Sequence, residues 1–274
     1  MDIRMICMDL DGTALRPDRV SFSPLLESVL AQAHTRGIAV TVVTGRQYGL
    51  LPPAVTNHPV WENLAVLCNG GQVRRLGTGE LLSSLDMEQQ ALQQLIALAE
   101  RFSLPLEFSL DSRLYLTRRS LELQQEDPGL VFHRDTILAN HGQTVDSLEP
   151  LCGRTVEKVN LLCIPEEKRN AVLRELETIA VSAVWSSHNC MEITHPRADK
   201  GRGLEEACRL LNIPVECTMA LGDSGNDIAM LRRAGLGVAM GNAPEFVKAA
   251  ADVVAERYDA DGAAKAILKY ALAK

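Results

Sequence analysis

The sequence predicts an α/β protein, a doubly wound and mostly parallel sheet with an α+β domain inserted into it. Three observations lead there. Short apolar runs alternate with helical stretches near both ends of the chain, the pattern of parallel strands covered by helices. The middle reads instead as strand pairs mixed with helices. The 274 residues are enough for one large domain or two smaller ones.

Taken in order, "RMICMDL" is a buried-strand pattern that stops at Asp9 and Asp11. "SFSPLLESVLAQAHTRG" predicts a helix. Ser23 can cap it, Pro24 suits its first position, and Gly37 suits the residue past its end. "IAVTVVTGR" is a β-branched strand ending at Gly45, followed by a helix expected over 47–56. "LAVLCNGG" is a third strand. The right-handed crossover rule puts the ends of these three strands on one edge. "GQVRRLGTGELLSSL" predicts a hairpin around Gly77 and Gly79, and "PLEFSLDSRLYLT" two strands about an Asp-Ser turn. Between them "MEQQALQQLIALAERF" is helical by its apolar spacing. "EKVNLLCI", "PEEKRNAVLRELETIA" and "SAVWSS" add a strand, a helix and a strand. From Lys200 onward the strand–helix alternation returns with "TMALGDS" and "GVAMGN" as strands and an amphipathic closing helix. The expected division is a discontinuous core of residues 1–84 and 189–274 with an insert of residues 85–188.

Composition narrows the function. Apolar residues make up 46% and charged residues 23%, as in ordinary globular proteins. The formal charge is −7 with no Lys/Arg block, which disfavours nucleic acid or an anionic membrane as the main partner. Seven cysteines, an odd number without a CxxC pair, are used as small core residues of a reducing compartment. Asp2, Arg4, Asp9 and Asp11 interrupt any signal-like apolar stretch, so the expected location is the cytoplasm.

The residues that carry chemistry gather at predicted strand ends. Asp9 and Asp11 lie two apart and point to the same face while the chain is extended, and Gly12 then allows a sharp turn. An ordinary Asp-Gly turn would look the same. "LGDSGND" places Asp223 and Asp227 at a second strand tip of the same edge. Carboxylates brought that close need a counter-ion, and Mg²⁺ is the usual one. Helix capping by Ser224 or Asp227 is the plainer reading, but it leaves Asp223 unexplained. Thr44 ends its strand with a hydroxyl and an N–H suited to a phosphate oxygen. Lys200 opens a helix, where a cation is unfavourable unless it faces an anion. Asn69 in "CNGG" is a possible donor to substrate, or part of a turn.

In order, "DLDGT", "VVTGR", "DKG" and "GDSGND" resemble the four motifs of the haloacid dehalogenase superfamily. With the insert and the "CNGG" and "MGNA" stretches, the chain resembles the Cof-type phosphatases with a type IIB cap. The pattern departs at Ala14, where the family usually has Leu, and is loose through the insert, so the leaving group is not carried over. The resemblance implies Mg²⁺-dependent hydrolysis of a small phosphomonoester, such as a sugar phosphate or pyridoxal phosphate, through an aspartyl-phosphate. It implies Asp9 as nucleophile and Asp11 as general acid, then base. Mg²⁺ would be held by Asp9, Asp223 and the backbone carbonyl of Asp11, with Asp227 behind them paired to Lys200. Thr44, Gly45, Lys200 and Asn226 would bind the phosphoryl group, with Arg46 and Asn69 as further substrate contacts. The cap would close over the site and read the leaving group. A phosphomutase of related fold and a non-catalytic binding protein are the rival readings. His133, His141, His188 and His195 read as polar or capping residues, and Trp61 and Trp185 as packing residues.

Overall fold

The computed structural model describes residues 2–57, 64–125 and 142–273. The chain forms two units. One holds Met1–Arg46, Leu51–Ser83 and Asp199–Lys274, and the other Gln47–Leu50 and Ser84–Ala198.

In the first unit, β1 (Met5–Met8) is buried at all four positions, as a strand with a parallel neighbour on each side requires. Helix α1 (Pro24–Thr35) starts where the sequence places it. Ser23 Oγ accepts from the Leu26 N–H at 3.1 Å, and Gly37 follows the helix at φ 75°. Strand β2 (Ala39–Val43) leads into a 3₁₀ turn at Tyr48–Leu50 and a single helical turn, α2 (Pro53–Thr56). The continuous helix expected over 47–56 does not form. Pro53 holds Pro52 in extended conformation, ψ 154°, which interrupts it. Strand β3 (Leu64–Leu67) is followed by β4 (Gln72–Arg75) and β5 (Leu81–Ser84), with β4 antiparallel to β3.

The second unit contains α3 (Gln89–Phe102), β6 (Leu106–Leu110), β7 (Arg113–Thr117), α4 (Arg118–Gln125) and β8 (Gln143–Val145). It continues with β9 (Lys158–Leu161), α5 (Glu166–Leu176), β10 (Ser182–Trp185) and β11 (Met191–Thr194). Asp111 and Ser112 both take positive φ, the left-handed pair that a tight hairpin between β6 and β7 demands. The strands form one sheet in the order β10-β11-β9-β6-β7-β8. Its core joins Leu92, Leu95 and Leu98 of α3 to Phe108, Val159 and Ile193 of the sheet. The insert therefore runs past His188 to Ala198, because β11 pairs antiparallel with β10 and β9. Gln47–Leu50 also joins this unit, with Leu50 against Leu114 and Leu116. Trp185 is exposed rather than packed, with the Arg169 guanidinium over its ring at 5.5 Å. His195 holds a turn, its Nδ1 accepting from the Arg197 N–H at 3.0 Å, while Asp199 caps the helix that follows. Trp61, His133 and His141 lie outside the described residues.

The chain then returns to the first unit with α6 (Lys200–Leu211), β12 (Thr218–Gly222), α7 (Ile228–Arg233), β13 (Leu236–Ala239), α8 (Glu245–Lys248), β14 (Val253–Val254) and α9 (Gly262–Tyr270). The sheet order is β14-β13-β12-β1-β2-β3-β4-β5. Strands β1, β2, β3, β12, β13 and β14 run parallel. The order proceeds one way from β1 to β2 and β3, and the other way through β12 to β14, so the topology switches between β1 and β12. Open α/β sheets carry their sites at such a crevice, outside the strand carboxyl ends. Among the described residues no two cysteines form a disulfide, and Cys7, Cys68, Cys152, Cys190 and Cys208 are buried. No described helix is long and apolar enough to cross a membrane.

Two substitutions separate the local and tertiary contributions to this unit. Ser23→Ala removes the α1 cap and is expected to cost about 1 kcal/mol. Leu204→Ala opens a cavity in the core beside Val66 and Ala220, and is expected to cost about 2–5 kcal/mol. Urea unfolding followed by circular dichroism checks both values.

Candidate active site

Five parallel strands deliver polar side chains to one edge. Asp9 follows β1, Thr44 follows β2, Asn69 lies just beyond β3, Asp223 follows β12, and Asn242 comes three residues after β13. The tips are tied to one another. Asp9 N–H donates to Leu221 O at 3.0 Å, Thr44 N–H to Val66 O at 2.9 Å, and Asn69 N–H to Thr44 O at 3.1 Å.

Lys200 stands at the start of α6, and its Nζ lies 2.6 Å from Asp9 Oδ1 and 2.6 Å from Asp227 Oδ1. All three side chains are buried. Helix α6 approaches closely because a side chain at Gly203 would place its Cβ 2.2 Å from Val66 Cγ1. Asp199 caps the helix by accepting from the Arg202 N–H at 2.9 Å. The unfavourable placement of a lysine at a helix N-terminus is thus offset by two carboxylates.

Asp227 is committed on both oxygens. While Oδ1 faces Lys200, Oδ2 accepts from the N–H groups of Asp223 and Ser224, each at 2.9 Å. Ser224 and Asp227 also form a capping box, so the capping reading and the charged one are both true of Asp227. Asp223 accepts from Thr13 Oγ1 at 3.0 Å and from Asn242 Nδ2 at 3.1 Å. Asn242 Nδ2 also donates to Gly12 O at 2.9 Å. Gly12 has φ +79°, and a Cβ there would fall 2.4 Å from Asp223 Oδ2. Only glycine allows the turn after β1 to pass so near that carboxylate.

Among the described residues, Asp9, Asp223 and Asp227 form the one group able to hold a metal, with ligand atoms within 4.8 Å of one another. Three carboxylates against one ammonium leave the cluster negative. Burial pushes the Asp9 carboxyl well above its ordinary range; Lys200 opposes the rise, and the neighbouring aspartates add to it. Burial likewise lifts Asp223 from 3.8 to about 6, with Asp227 adding to the rise. Burial alone would lower the pKa of Lys200, but Asp227 and Asp9 outweigh it and hold the ammonium protonated. An all-oxygen, negatively charged set that resists ionisation is suited to a hard divalent cation.

The Asp11 carboxylate is directed elsewhere. Arg46 grips it with Nε to Oδ2 at 2.7 Å and Nη2 to Oδ1 at 2.7 Å. Arg46, expected to contact substrate, is thus an ion-pair partner of Asp11. The Thr44 N–H, expected at a phosphate, is used by the sheet, while its hydroxyl accepts from the Arg46 N–H at 3.2 Å. The Asn226 amide donates to Asn69 Oδ1 at 3.0 Å, and its Oδ1 accepts from Ser224 Oγ at 2.6 Å. These two asparagines hold each other. Asn69 has φ 53°, a left-handed position that asparagine tolerates. Gly45 lies between Thr44 and Arg46 in the same bend. Sequence reasoning missed Thr13 and Asn242 as supports of Asp223. Their signal was available: Thr13 follows the Asp-Gly turn, and Asn242 follows another strand of the same edge.

Fold and site together define a hydrolase. The chain belongs to the haloacid dehalogenase-like hydrolase family, whose sequence profile matches residues 6–267. Within that family it is a Cof-type phosphatase with a type IIB cap. It is 29% identical to the pyridoxal phosphate phosphatase YbhA of Escherichia coli, over 93% of each chain. It is 28% identical to phosphatase YwpJ of Bacillus subtilis, over 96% of this chain and 98% of that one. The HAD subclass IIB sugar phosphatase BT4131 shares the fold with a TM-score of 0.84 and 26% identity, over 97% of this chain and 98% of that one.

Gly12→Ala is expected to displace the Asp223 carboxylate and weaken divalent-cation binding, read as a smaller Mg²⁺-induced rise in Tm. For Asp223 the folded pKa lies above the unfolded one, so the folded state binds the extra proton. That contribution favours folding below pH 3.8 and is lost as pH rises through about 6. In EDTA, Tm of the wild type relative to Asp223→Asn should therefore fall between pH 4 and 7, and Mg²⁺ should reverse the fall.

Proposed function

We propose that this phosphatase is a Mg²⁺-dependent hydrolase of small phosphomonoesters that works through an aspartyl-phosphate on Asp9. The observation that carries the reading is the pairing of Asp9 with a buried lysine at the tip of β1, beside Asp223 on the tip of β12. A carboxylate there is an activated nucleophile held in place, with an ammonium beside it for phosphoryl charge.

Asp9 attacks phosphorus in line. The Asp9 O–P bond forms as the ester P–O bond breaks, and Asp11 gives its proton to the departing oxygen. Asp11 then takes a proton from water, which attacks the same phosphorus, releases phosphate and frees Asp9. Lys200 and the Thr44 hydroxyl donate to the phosphoryl oxygens as charge builds on them. Asp227 orients Lys200 and the Asp223 loop. Asp9, Asp223 and the main-chain carbonyl of Asp11 would hold Mg²⁺, which when bound offsets phosphoryl charge and the repulsion among the acids. Sugar phosphates and pyridoxal phosphate are the proposed substrates, in keeping with the relatives named for them.

A phosphate-release screen over metabolite esters, without a bisphosphate activator, tests this. Release with Mg²⁺ and its loss in EDTA are expected. Asp9→Asn should lower kcat at least about 10³-fold while circular dichroism stays unchanged. Activity that survives chelation, or a nearly active Asp9→Asn, would sink the proposal.

A further inference from the structure

Asp9 and Asp11 lie two residues apart and have different cations. Asp9 faces Lys200, and Asp11 faces the fork of Arg46. The Asp11 side chain is 41% exposed, against 7% for Asp9. It stands outside the group formed by Asp9, Asp223 and Asp227. A half-exposed carboxylate beside a left-handed glycine has several rotamers open to it. Two parallel N–H···O bonds from one planar guanidinium select a single position and orientation.

The guanidinium is itself braced. Its Nη2 also donates to Arg19 O at 3.2 Å. The Arg46 N–H donates to Thr44 Oγ1 at 3.2 Å, and its carbonyl accepts from the Cys68 N–H at 3.1 Å. The fork therefore links the turn after β1 to the tips of β2 and β3.

We infer that Arg46 is a positioning residue, whose fork fixes the Asp11 carboxylate apart from the Asp9–Asp223–Asp227 cluster. The inference deepens the proposed mechanism and, in its kinetic part, rests on it. Arg46 transfers nothing; it acts through Asp11. A lysine in its place keeps a charge but not the fork.

Arg46→Met and Arg46→Lys test this in two ways. Crystal structures of the variants should show the Asp11 carboxylate displaced; a carboxylate left in its original place in both would overturn the inference. If Arg46→Met fails to fold, Arg46→Lys carries the test. The second readout compares an alkyl phosphate with p-nitrophenyl phosphate, whose leaving group needs no acid. On the alkyl ester kcat/KM should fall about 10²-fold or more, and on the aryl ester far less. Equal losses on both esters, a rise in KM alone, or full activity in Arg46→Lys would overturn the inference. A wild type that releases phosphate from neither ester would defeat the mechanism, and the crystal structures would still decide the position of Asp11.

Discussion

The Lys200 ammonium sits between Asp9 and Asp227, 2.6 Å from each, and the other contacts of the site are arranged around it. Buried ion pairs are weak contributors to stability, because desolvation consumes most of the Coulomb gain. This one makes better sense as a device for holding charge in a fixed place. Its construction takes much of the first unit. Glycines at 201 and 203 let α6 lie close to its neighbours, and Asp199 caps that helix. Asp227 uses its second oxygen to fix the loop that carries Asp223. The sheet orders the strands so that β1 and β12 are adjacent at the switch in topology.

The same constraint explains why neighbouring carboxylates are treated differently. One ammonium does not neutralise three acids, of which Asp9 and Asp227 are buried and Asp223 half-buried, and desolvation raises the pKa of both Asp9 and Asp223. A fourth carboxylate in that space would deepen the imbalance. The positive φ of Gly12 turns the chain after β1, and Arg46 takes Asp11 into a separate, more exposed ion pair. Proximity in sequence thus yields two environments within a few ångströms, suited to different chemistry.

Much of the fold was legible because its signals are local. Ser23, Pro24 and Gly37 bracket α1, and the Asp-Ser turn joins β6 to β7. The insert boundary was missed because β11 is a short strand whose allegiance depends on distant partners, β9 and β10. The helix expected after β2 failed at Pro52–Pro53, a local signal outweighed in that reading by the surrounding residues.

At the site, the sequence by itself determined which residues stand at the strand tips, since an apolar run that gives way to Asp or Thr with a glycine close by ends a strand wherever it lies. Tertiary structure alone decided their partners. Asp9 meets Lys200 across 191 residues, Thr13 meets Asp223 across 210, and Gly12 meets Asn242 across 230. Hydrogen bonds and ion pairs depend on distances of a few ångströms, and sequence spacing says nothing about distance once the chain has crossed from one strand to another. Arg46 shows this most clearly. Its place beside Thr44 suggests a substrate contact, and only the folded sheet turns its guanidinium onto Asp11.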